Sequence, residues 1–187
     1  MRAEGRLDTL VLTVHLAAIA LALAPPIFFG AVVAPSAFRV LPTRDLAGAL
    51  QSPILSKMCL MAEASFGVLF ATSWWLTRRG APKMTRALLT RLPILGFFAA
   101  LVIRQLLIPP IDRIREEAPG LIDSLPAADP SRILLDRYHR LATGFFSLEI
   151  AAAALILLAT AGLLSARRGA PLPREKPKEA VKVLDLG

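Results

Sequence analysis

From Leu10 to Phe38 the chain reads LVLTVHLAAIALALAPPIFFGAVVAPSAF, with one histidine and no Asp, Glu, Lys or Arg. A bilayer core ~30 Å thick takes about 20 consecutive apolar residues of helix to cross. A segment this long and this apolar has one ready solution, a membrane span, and in hydrocarbon the backbone must satisfy itself as helix. Three further apolar runs follow, so spans are expected at about 9–34, 54–76, 92–108 and 141–164. The fold expected is all-α: an integral-membrane four-helix bundle over residues 1–165. A short extracytoplasmic helical cap at about 111–138 joins spans three and four, and a basic, Pro-rich tail at 166–187 is expected to be disordered.

Composition agrees. The 187 residues are 55% hydrophobic, concentrated in blocks, with a formal charge of +8. In such a chain Lys and Arg at span ends set orientation and meet anionic head groups. Membrane lipids are therefore the first expected partners. Nucleic acid is not, because no basic, aromatic-bearing soluble module remains once the spans are removed. Arg2 and Arg6 precede the first run as in a signal peptide. However, Pro25 directly follows the Ala22-Leu23-Ala24 that would be cleaved, and the run exceeds the ~7–15 residues of an h-region. It is read as an uncleaved span.

Several features punctuate the runs. Pro25 and Pro26 fall near the middle of the first span and strip the carbonyls of Leu21 and Ala22 of their usual donors. They are either a packing kink or a hinge or ion-coordinating break. A polar connection is expected at 39–56, Trp74-Trp75 as an interfacial anchor, and Pro109-Pro110 as the end of span three. IDRIREEA reads as a short amphipathic helix with Ile111 and Ile114 on one face, and Asp129-Pro130 as the start of the last helix. The N-terminus, the loop between spans two and three and the tail hold 13 Lys/Arg, against eight in the other two loops, which also hold seven acids. Both termini are thus expected to be cytoplasmic, in a multi-pass protein of the inner (plasma) membrane.

The chemistry-bearing candidates are ionisable residues at membrane depth, which are costly there and need partners. Glu63, Arg104 and Glu149 lie about 13, 6 and 12 Å from the outer ends of their spans by helix rise. They are expected to meet in one layer. Two carboxylates around one guanidinium leave a net negative charge unless one is protonated. Such a triad is either a register-fixing ion cluster or a proton- or cation-binding site. Gln105, Thr143 and Ser147 are candidate donors to it, and Ser65, Gly67, Gly144 and Ser147 are candidate points of close helix approach.

His15 and His139 begin spans that run in opposite directions, so they should sit about 20 Å or more apart and cannot share one metal. Tyr138 and His139 form a candidate interfacial relay, the alternative being an interfacial histidine capped by a loop carboxylate. The one cysteine, Cys59, has no partner, and no zinc-type spacing exists. No metal and no cofactor are expected, and with no nucleophile–base pair in view neither is an enzyme.

The phrases GAVVAPSAFRVLP, LAGAL and YHRLATGFFSLEI, with the Pro-Pro before IDRIREEA, resemble the bacterial four-span proteins of the transmembrane-protein-205-like domain family, a domain of unknown function. The resemblance runs from about Val11 to Leu164. It implies four spans and a membrane location, with no established reaction. Pro35, Phe38, Arg39 and His139 are the positions that match it. The chain departs from the family pattern at Gln51-Ser52-Pro53, where aromatic residues are usual, and at Glu149, where Asn is frequent. Copper-resistance membrane proteins share the histidine-then-glycine first span, but paired histidines and a Met-rich ligand set are lacking here. Two function classes follow. One is a small transport- or permeation-related protein working through Glu63, Arg104 and Glu149. The alternative is a non-catalytic accessory or scaffold subunit that binds another membrane protein or itself.

Overall fold

Four long helical rods carry the chain in the computed structural model, which describes residues 2–168 except Arg79 and Pro119. Most of the expected disordered tail lies outside the described residues. The first rod is α1 (Arg2–Phe28), a π-helical turn (Phe29–Val33) and α2 (Ala34–Val40). The second is α3 (Arg44–Thr77). The third is α4 (Lys83–Val102), a second π-helical turn (Ile103–Leu107) and α5 (Ile108–Glu117). A 3-10 turn (Ile122–Ser124) then leads to α6 (Pro130–Arg168). All four rods are long and apolar enough to cross a membrane. Even α3, at 34 residues, exceeds what the hydrocarbon requires, so the rods project beyond it.

The π turns share a sequence cause. Ala34 N–H reaches back five residues to Phe29, and Ile108 N–H reaches back five to Ile103. Each is followed at once by proline, Pro35 in one case and Pro109-Pro110 in the other. A proline ring strikes the carbonyl four residues back and offers no donor. The wider turn moves that carbonyl aside, and proline then occupies the first turn of a new helix, where its missing N–H costs nothing. At Pro109-Pro110, where span three is expected to stop, the helical rod itself does not break: it continues to Glu117.

The polar connection expected at 39–56 is also mostly helical. Only Leu41–Thr43 leaves the helix. Thr43 then caps α3, its hydroxyl accepting from Leu46 N–H at 3.2 Å, and Asp45 sits in the first turn, where the helix dipole favours an acid. Asp129 caps α6 as expected, its carboxylate accepting from Ser131 N–H at 2.8 Å.

The rods form a square in which α1 and α4 each pack against α3 and α6. Phe66, Leu69, Leu89, Ile103 and Ile156 are fully buried between them, while Leu21, Phe28, Leu60, Phe98 and Leu158 face outward as a lipid-facing belt. The closest helix approach is not at Gly67 or Gly144, whose missing side chains face open space, nor at exposed Ser147. Close approaches are instead at Gly96, where the Phe66 ring lies so close that any Cβ would overlap it, and at Gly48, where the Arg115 guanidinium does the same.

Candidate functional site

The buried stripe of α3 runs through Cys59, Ala62, Glu63, Phe66, Leu69, Ser73 and Leu76. That of α6 runs through Ala142, Glu149, Ala152, Ile156, Thr160 and Leu163. Helical spacing of three and four therefore puts Glu63 and Glu149 where a leucine would otherwise be. Arg104 arrives from the π turn that follows α4.

These three residues come to one level, but not as a symmetrical triad. The Arg104 guanidinium grips Glu63 with two parallel bonds, Nε to Oε1 and Nη2 to Oε2, each 2.7 Å. Such fork-on-fork pairing is the strongest geometry available to these groups. With its amide oxygen turned toward the guanidinium, Gln105 accepts from Nη1 at 3.0 Å and from Nη2 at 3.2 Å. It is an acceptor rather than the expected donor. Glu149 lies near enough to Glu63 for their charges to interact, and buried Cys59 is within electrostatic range of both. Yet among the described residues no hydrogen bond or ion pair joins Glu149 to Arg104. The Glu149 side chain is 1% exposed, and its Oε1 is buried with no hydrogen-bond partner.

The other expected donors do not take part. The exposed hydroxyls of Thr143 and Ser147 donate to the carbonyls of His139 and Thr143 on their own helix, both at 2.9 Å. Pro26 is buried and Pro25 half-buried within α1, which stays helical through both. They stand nearly level with Glu63. One turn further on, Phe29 meets Phe146 of α6 edge to face, with centroids 6.2 Å apart.

A second polar layer went unread in the sequence as a joint. His15 is fully buried at the centre of the bundle, with Nδ1 2.8 Å from the Thr72 hydroxyl of α3 and Nε2 2.9 Å from the Thr160 hydroxyl of α6. Each hydroxyl also lies beside the carbonyl one turn back, Thr72 2.7 Å from Val68 and Thr160 2.8 Å from Ile156. A neutral imidazole has one N–H, so one threonine accepts from the ring and donates to its carbonyl while the other donates to the ring. One imidazole thus ties three rods together. The available signal was that His15 shares a stripe with Ala18, Ile19 and Ala22, while Thr72 and Thr160 lie on the buried stripes of their own helices. Counting along α3, the histidine layer lies about 13 Å from the Glu63 layer.

His15→Ala removes two hydrogen bonds and opens a cavity, so it is expected to lower stability by about 2–4 kcal/mol. Detergent-phase unfolding would measure this. A loss below about 0.5 kcal/mol would mean that the joint contributes little.

His139 is exposed, and among the described residues its ring has no partner, whereas Tyr138 packs partly against the core. The two side chains are therefore split between inside and outside, and no loop carboxylate caps His139. Thr160 marks the level of His15 and stands 21 residues along α6 from His139, which separates the histidines by about 30 Å. At the far end of α1, Trp75 Nε1 donates to Asp8 at 3.1 Å and the Arg78 guanidinium lies 3.2 Å over the Trp75 ring, while Trp74 points outward. Among the described residues no cluster of His, Cys, Asp and Glu is arranged to hold a metal.

A family model described as a domain of unknown function, DUF4149, matches residues 15–119. The chain belongs to this family. The DUF4149 match takes in more than half of the chain, including His15, Glu63 and Arg104, and ends before the helix that carries Glu149. It brings membership without an activity, and it does not carry the transmembrane-protein-205-like name. No curated protein and no solved structure matches the chain significantly.

Proposed function

We propose that this DUF4149 protein binds a proton or small cation at the Glu63–Arg104–Glu149 layer as one step of a transport or permeation process. The observation that carries this reading is the buried, unpartnered Glu149 Oε1. An isolated carboxylate in a low-dielectric interior is prohibitively costly. The charge of Arg104 is already matched by Glu63, so Glu149 needs a neutralising partner of its own, and a proton or a cation supplies it. The carbonyls of Leu21 and Ala22, freed by Pro25 and Pro26 at the same depth, offer neutral oxygens of the sort found at broken membrane helices. The layer reaches the bundle surface at the Ile103–Leu107 turn, where the Arg104 side chain is 25% exposed and Gln105 is exposed.

Proton flux into vesicles reconstituted with the purified protein tests this. Glu149→Gln is expected to reduce flux at least tenfold while leaving the thermal midpoint equal to or above that of the parent, because an amide needs no neutralising partner. Unchanged flux in Glu149→Gln would remove the reading.

One observation favours the accessory-subunit alternative. Gln105 is exposed about 10 Å from Asp112 along the third rod, a depth at which an uncovered amide is unfavourable in lipid. A second membrane protein or a second copy seated there would cover it. In either reading we place the chain in the plasma (inner) membrane with both termini cytoplasmic, from its Lys/Arg distribution. We group it with the transmembrane-protein-205-like proteins on the phrases around Pro35–Arg39 and His139.

A further inference from the structure

A groove runs between the second half of the first rod and the start of α3, far from the Glu63 layer. Its volume is about 390 Å³, and apart from Ser36 its lining is aliphatic: Val32, Val33, Ala37, Val40, Leu41 and Leu50. The local sequence explains the gap. The π turn and Pro35 bring the small side chains of Ala34, Ser36 and Ala37 toward α3, and the chain then turns back within three residues. From Leu41, at the end of the bundle, to Val32 is nine residues, or about 13 Å of rise. That fits within one leaflet of a ~30 Å hydrocarbon core.

The mouth of the groove is basic. Arg39 ends α2 and Arg44 opens α3, on either side of the Leu41–Thr43 link, and both are exposed. Among the described residues neither guanidinium has an ion-pair partner. The Asp123 carboxylate is engaged by the Arg44 backbone N–H at 3.2 Å rather than by its guanidinium, and half-buried Asp45 acts on Arg115. An apolar groove that ends at Leu41, in a link flanked along the chain by two exposed arginines, has the polarity of a phospholipid: phosphate at the boundary, acyl chain below.

We infer that this groove holds one acyl chain of an anionic phospholipid, with the headgroup phosphate held between Arg39 and Arg44. The site stands independently of the proton or cation reading, and it gives the Pro35, Phe38, Arg39 phrase a use: proline sets the turn that opens the slot, and arginine closes on the phosphate. Basic pockets at helix ends recognise anionic head groups by charge, and guanidinium does so in a two-pronged geometry.

Native mass spectrometry of the full-length protein tests the site, in mild detergent doped with equal phosphatidylglycerol and phosphatidylcholine. The parent is expected to retain one phosphatidylglycerol in preference to phosphatidylcholine. Arg39→Gln/Arg44→Gln is expected to cut phosphatidylglycerol retention at least tenfold. Ser36→Trp, which fills the slot, is expected to abolish retention of both lipids. Because both arginines are exposed, the double variant should keep the parent's thermal midpoint in lipid-free detergent, and its result decides the matter even where Ser36→Trp fails to fold. Equal retention of the two lipids by the parent would overturn the inference. So would full retention by the arginine variant, or a lipid-free dimer that Ser36→Trp splits, since that would make a second copy the occupant.

Discussion

Arg104→Met is expected to destabilise the bundle severely, and Glu63→Leu/Arg104→Met is expected to recover most of the loss. The reasoning lies in which partner is trapped. The Glu63 side chain is 9% exposed and points inward from the middle of α3, so its carboxylate cannot reach water when the guanidinium is removed. Orphaning a buried carboxylate costs about 3–5 kcal/mol, whereas replacing both members of a buried pair with apolar groups is often neutral. Here the orphan would also face Glu149 with no cation between them. Glu63→Leu alone should be milder, because the Arg104 side chain is already 25% exposed and long enough to carry its charge outward. Unfolding of the four proteins in detergent, read as a double-mutant cycle, measures the coupling. Additive losses would show that the two bonds at 2.7 Å do not hold the helices together.

Gly96→Leu is the second substitution with a large expected effect, for a purely steric reason. The Phe66 ring is fully buried and rests where a Cβ on residue 96 would be. The ring has nowhere to go, so α3 and α4 must separate. Overpacking costs about 1–3 kcal/mol when a core can adjust, and leucine at this point should reach the upper end or beyond. Phe66→Ala in the same chain frees the space and should restore part of the stability. Thermal midpoints of the two single variants and the double variant test this. A Gly96→Leu protein as stable as the parent would show that the contact is loose.

The rods were legible in the sequence because hydropathy and length alone require them. Their ends were less so. Proline was read as the stop of span three at Pro109-Pro110, although the helix runs on to Glu117. The deciding factor was the π turn, a backbone adjustment that leaves no mark in composition beyond the proline that follows it. Glu63, Arg104 and Glu149 could be brought to one depth by counting residues. Counting could not assign the guanidinium to Glu63 alone, because that depends on which way each stripe faces and on the register shift at residues 103–107. His15 was weighed as a metal ligand and set aside, and its bonds to Thr72 and Thr160 stayed hidden because they join positions 57 and 145 residues away.

The wide turn at Ile103–Leu107 also sets the phase of everything beyond it. One residue of α-helix is about 100° of rotation, so a chain with one residue deleted there would present a different side of α5 to α3. Asp112 would swing away from Ser52, whose hydroxyl it accepts at 2.8 Å, and Arg115 would leave its seat against Gly48. Asp123, which accepts the Arg44 N–H at 3.2 Å, would lose its alignment with the start of α3. The segment from α5 to the 3-10 turn is thus keyed to the bundle like a shaft to its hub, and a deletion of that size at residues 103–107 would be felt there.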